Sequence, residues 1–109
     1  MCSSDLPWSI LVARRLRRRG IACNDHLFGM RDSGRMTRER LLRLIPALPE
    51  GVTEIHLHPA APGWTSDDPA AAGYRHEDEL AALTDPEVSA ALAAAKAERI
   101  AFRHLAAPR

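Results

Sequence analysis

Thr53-Glu54-Ile55-His56-Leu57-His58-Pro59-Ala60 is the stretch on which the reading of this chain turns. Polar and apolar residues alternate through it. As a strand it therefore directs Glu54, His56 and His58 to one face and Ile55 and Leu57 to the other. One carboxylate and two imidazoles then line a wall backed by an apolar layer, the arrangement expected of a pocket. Nowhere else in the sequence do ionisable groups converge through local geometry alone.

Working outward toward the N-terminus, Pro49-Glu50-Gly51 supplies a tight turn before this strand. Ahead of the turn a helix is expected, capped by Thr37, with Glu39 in its first turn and its length limited by Pro46. Leu41, Leu44, Ile45 and Leu48 mark the apolar face, which is expected to dock on a sheet. Helix, turn and strand in succession are half of an alternating α/β layer. Residues 21–28 read as an earlier strand, although Asn24 and Asp25 weaken its propensity, and residues 30–36 as a loop. Before that, Ser4 or Asp5 caps a helix that opens at Pro7 and stops at Gly20. Its stripe is Trp8, Leu11, Val12 and Leu16. Arg14, Arg15, Arg17, Arg18 and Arg19 read as a solvated face, since no interleaved aromatics or Gly-rich loop point to nucleic acid.

Beyond Pro59, residues 60–76 carry Pro62, Gly63 and Pro69 without any period and read as an exposed loop at the carboxyl end of a strand, where α/β proteins keep their binding chemistry. Trp64 and Tyr74 are candidates to line its mouth, and His76 reads as a polar residue entering the next helix. Residues 77–105 give a short helix, a second helix restarted by Asp85-Pro86-Glu87 with Val88, Leu92 and Ala95 as its buried stripe, and a last strand over residues 99–105 in which Ile100, Phe102 and His104 alternate with Ala101 and Arg103. The tail, residues 106–109, is expected to fray.

The chain has 109 residues, enough for one modest domain. Fifteen basic and 14 acidic residues leave a net charge of +1, which provides no field to draw nucleic acid or acidic substrates. Two cysteines, Cys2 and Cys23, make neither a disulfide framework nor a zinc site and suit a cytoplasmic protein. No run of about 18 apolar residues is present to span a membrane. With 5% aromatic residues and many alanines, the core is expected to be built of small pieces that want partners. No serine sits on a nucleophile elbow and Cys23 has no placed histidine, so covalent catalysis is not indicated. A histidine at a pocket rim suits proton delivery to a leaving group, and Glu54 is placed to orient a ring.

A family resemblance rests on particular segments. His26-Leu27-Phe28-Gly29, Ser33-Gly34-Arg35-Met36-Thr37, Leu48-Pro49-Glu50-Gly51-Val52-Thr53-Glu54-Ile55 with His58-Pro59-Ala60, and Tyr74-Arg75 followed by Glu79-Leu80, Leu83 and Asp85-Pro86 resemble the C-terminal part of the ChbG/HpnK (YdjC-like) carbohydrate deacetylases, nearest to the hopanoid-biosynthesis-associated branch. The resemblance implies an α/β fold that is part of a TIM-like (β/α) barrel, with about three short strands alternating with helices. The segments of this single domain, residues 1–109, are then a basic helix (1–20), strand-helix-strand (21–59), a loop (60–76), and helices with a last strand (77–105).

The activity implied is hydrolysis of an acetamide on a sugar or hopanoid-linked glycan, with water activated by a divalent metal such as Mg or Zn in the full-length family. The family's metal-ligand motifs, an early Asp-Asp and two histidines on intermediate strands, are absent here. Asn24-Asp25-His26-Leu27-Phe28-Gly29 resembles the early Asn-Ala-Asp-Asp-Phe-Gly motif only superficially, because the second aspartate is missing. No tight metal binding by this chain is therefore expected, and no metal ligands are assigned. By resemblance His58 is the catalytic general acid that protonates the departing amine and Arg75 is a substrate-binding residue, while His56 receives no catalytic role. The chain is expected to be a segment, inactive alone, that self-associates or pairs with a missing N-terminal half. The competing reading is a small α/β interaction or assembly module without catalysis, using the arginine-rich helix and the loop mouth.

Overall fold

The computed structural model describes residues 7–105, so the expected caps Ser4 and Asp5 and the tail after Leu105 lie outside the described residues. The elements are α1 (Pro7–Arg18), β1 (His26–Phe28), α2 (Arg38–Leu44), β2 (Thr53–Ile55), α3 (His76–Thr84), α4 (Pro86–Ala94) and a single turn, α5 (Phe102–Leu105), with 3-10 turns at Ile45–Ala47 and Pro69–Ala71. They make a small mixed α/β domain. β1 and β2 pair in parallel with His26 beside Thr53, Leu27 beside Glu54 and Phe28 beside Ile55. The N–H groups of Asp25 and His26 both reach the Val52 carbonyl, at 2.7 and 3.1 Å, and the His56 N–H reaches the Phe28 carbonyl at 2.8 Å. Asp25 ties the sheet to α1, because one carboxylate oxygen accepts from Arg17 at 2.6 Å and the other from the Val52 amide at 2.8 Å. This use of the Asp25 side chain, in the bend before β1, shortens the strand expected over residues 21–28 to its last three residues.

The helix expected over residues 38–48 forms, with Pro46 placed in the 3-10 turn that ends it. Most of its neighbours are helices, although Ile55 of β2 also packs against the core it contributes to. α2 packs against α3 and α4, and Met36, Leu41, Ile45, Ala82 and Val88 form the buried core, with Leu44, Leu48, Ile55, Leu57 and Leu92 packed around it. Two three-residue strands present only a small apolar face, so the helices supply most of each other's cover. Ala95, expected in the buried stripe of α4, is exposed. Arg38 fastens this helical layer: its Nε donates to Asp85 at 2.8 Å and its terminal nitrogen bonds Glu87. Asp85 in turn caps α4 by accepting the Glu87 N–H at 2.8 Å.

The last strand does not form. Among the described residues the sheet has two strands, so the alternating residues 99–105 have no ladder partner, and a strand without a partner leaves its backbone groups unmet. A local solution replaces it. In α5 the His104 N–H returns to the Ala101 carbonyl at 2.9 Å and its Nδ1 accepts the Ala101 N–H at 2.8 Å. α1 is the other loosely held element: no residue in it is buried, Trp8 stays 72% exposed, and a cavity of about 480 Å³ opens between Val12, Leu16 and Leu27.

The core position that matters most is Ile45, 1% exposed. Ile45→Ala is expected to lower unfolding free energy in urea by about 2–5 kcal/mol, the cost of a buried truncation with its cavity. Ile100→Ala, at a side chain 44% exposed, is expected to change it by less than about 0.5 kcal/mol.

Candidate functional site

Past Ile55 the chain leaves the ladder, and its backbone groups need new partners. The first turn of α3 supplies them. The His58 N–H donates to Glu79 Oε1 at 3.0 Å, while the His58 carbonyl accepts from His76 Nδ1 at 2.5 Å. Because a carbonyl only accepts, His76 carries its proton on Nδ1 in this contact. His76 and Glu79 are three apart in α3 and so lie on the same side of the helix. Ala60 continues the seam, its N–H reaching the His76 carbonyl at 3.3 Å.

With its backbone held on both sides, His58 presents its ring to two neighbours. Its Nε2 lies 3.2 Å from His56 Nε2, so one imidazole donates to the other, and the rings meet edge-on with centroids 4.6 Å apart. On the other side the Tyr74 ring stands 5.0 Å from His58 and 5.7 Å from His76, and Trp64 meets His76 at 5.0 Å, nearly perpendicular. Five rings from His56 to Trp64 thus form one continuous wall at the carboxyl end of β2. Glu79 is fully buried behind it, at 0% exposure. Its second oxygen, His58 Nδ1 and His76 Nε2 are buried side-chain atoms with no hydrogen-bond partner.

Gly34 makes this wall possible. Its φ of +79° is in the left-handed region that glycine adopts freely, and a Cβ there would collide with the Tyr74 ring. Its carbonyl accepts the Arg75 N–H at 2.7 Å, which holds Tyr74 and Arg75 at the base of α3.

The residues singled out by sequence separate here. His56 and His58 do share a face, as the alternation requires. Glu54 orients neither ring, because its carboxylate is taken by Asn24 Nδ2 at 2.9 Å. Arg75 points its guanidinium to Asp78 at 2.6 Å, with its side chain 56% exposed. Trp64 and Tyr74, expected at a loop mouth, pack against the rings of His76 and His58. His76 and Glu79 were the residues that alternation along β2 had no means of finding. The signal for them lay elsewhere, in the spacing of Glu79 from Ala82, which places a carboxyl on the apolar side of α3.

A family model described as YdjC-like protein matches residues 3–94. The chain belongs to the YdjC-like family. No curated protein and no solved structure matches it. The YdjC-like family includes carbohydrate deacetylases, and the match takes in β1, β2, the ring wall and the whole of α3 and α4. The family suggests a metal-dependent enzyme. Among the described residues no group of three or more His, Cys, Asp or Glu is arranged to hold a metal ion. The ring wall therefore does not fit that role. Among the same residues no helix is long and apolar enough to cross a membrane.

Two substitutions probe how this YdjC-like wall is held. Glu79→Ala removes the acceptor of the His58 amide from a buried place and is expected to cost about 1–3 kcal/mol in urea unfolding, with faster hydrogen exchange at the His58 amide. Gly34→Ala is expected to cost more than about 1 kcal/mol and to abolish the nuclear Overhauser contacts between the Tyr74 and His58 rings.

Proposed function

We infer that the chain is the C-terminal segment of a metal-dependent carbohydrate N-deacetylase of the hopanoid-associated branch, and that His58 is its general acid. The observation that carries this reading is the double hold on the His58 backbone at the carboxyl end of β2, in a chain whose family match covers the site. Hydrolysis of an acetamide adds water to the carbonyl carbon and breaks the C–N bond, and the departing amine needs a proton. His58 supplies it from its ring. His56, 3.2 Å away, is placed to pass a replacement proton from the rim. Arg75 serves the substrate's polar groups once it exchanges Asp78 for them, which its exposure permits.

The finer architecture of the proposal is a portion of a TIM-like barrel. Supporting it are the parallel pairing of β1 and β2 and the helix between them. Exposed Ile21, Ile100 and Phe102 are the apolar surface that missing elements would cover. Ligands for a divalent metal such as Mg or Zn then belong to residues other than 7–105. On this reading the chain is inactive alone, works in the cytoplasm, and pairs with an N-terminal half or with itself.

A second reading, an interaction module without catalysis, is favoured by α1, where Trp8, Ile10 and Leu11 are exposed beside Arg14, Arg15 and Arg18. Activity separates the two. These 109 residues are expected to release no acetate from N-acetylglucosamine alone and to do so once a polypeptide carrying the metal-ligand motifs completes them. In the completed enzyme His58→Ala is expected to lower kcat by about 10²–10⁴-fold, and His56→Ala by less than about tenfold. Acetate release by the chain alone would falsify the segment reading, and an unimpaired His58→Ala enzyme would remove His58 from the mechanism.

A further inference from the structure

The ring wall ends in a side chain that the proton-transfer chemistry does not use. Trp64 is 53% exposed, although indoles are mostly buried on average. The loop that carries it is not slack. Gly63 donates its N–H to Glu77 Oε1 at 2.9 Å, and the Trp64 N–H closes a turn onto the Ala61 carbonyl at 3.1 Å. Its perpendicular contact with His76, at 88° between ring planes, takes up one side of the pair and leaves more than half of the residue's surface open.

A ring held in place with an open surface selects for a ligand that has a flat apolar side and a polar rim. The surrounding charge narrows the choice. Asp67 and Asp68 follow the indole closely in sequence, and Glu77 is bonded to the Gly63 amide beside it, so a phosphate-bearing ligand such as a nucleotide is disfavoured. A neutral pyranose fits: its C–H side packs on the indole while its hydroxyls face water and the polar rim. We propose that Trp64 is the stacking platform for a neutral sugar ring, which lies along the wall with its acetamide end toward His58. This rests on the deacetylase reading and adds the residue that holds the sugar.

The test uses the full chain in a Trp8→Phe background, so that Trp64 is the sole indole, titrated with N-acetylglucosamine while tryptophan fluorescence and the imidazole NMR signals of His56 and His58 are followed. Saturable change in both is expected. Trp64→Ala is expected to weaken binding by about tenfold or more, the order lost with a stacked ring. Trp64→Phe, which keeps an aromatic face, is expected to restore most of it. Binding that shifts the histidines equally well in Trp64→Ala overturns the platform and leaves the deacetylase reading standing. Absence of any saturable change at either the indole or the imidazoles overturns the platform and counts against a sugar site at this wall altogether.

Discussion

The structure depends on how the chain satisfies its backbone once β2 runs out of partners. A parallel ladder of three residues per strand ends at Ile55, and the next amides cannot be left bare in a half-buried place. Phe28 serves His56, and after that the side chains of His76 and Glu79 take over as if α3 were the next strand. Burying a carboxyl group is costly without a donor, so Glu79 and the His58 amide need each other. That single bond sets where His58 sits, and through His58 where the rings of His56 and Tyr74 meet.

α3 therefore belongs to two structures at once. Its first turn holds the ring wall, while three residues further on Ala82 is wholly buried among Met36, Leu41, Ile45 and Val88. Anything that loosens the helical layer, including the Arg38 tie to Asp85, also loosens the site. This coupling gives a physical sense to a YdjC-like match that runs without a break from the basic helix to the end of α4. The loosely held parts, α1 and residues 95–105, lie where apolar residues remain in contact with water.

Much of this was legible in the sequence because it is local. The end of α2 near Pro46, the restart of a helix at Asp85-Pro86 and the common face of His56 and His58 follow from ring geometry, capping and strand alternation, whereas Thr37 stands at the N-cap position of α2 without its side chain making a capping bond. The strand assigned to residues 99–105 failed for an equally physical reason. Alternation states which side each residue would face, but a strand exists only where another backbone lies beside it. Glu54 failed similarly: its face was right, and its partner, Asn24, was thirty residues away in the chain.

By itself the sequence determined the order of helices and turns, the pairing of two imidazoles on one face, and the family to which those segments belong. Each of these depends on neighbours within a few residues or on matched strings of residues. Only the tertiary structure decided that α2 packs chiefly on α3 and α4 and that His76 and Glu79 hold His58 in place. The hold on His58 depends on which polar groups find one another across a gap of 18 to 21 positions in the chain. The need for a partner is written in each residue, but its identity is settled only when the chain has folded.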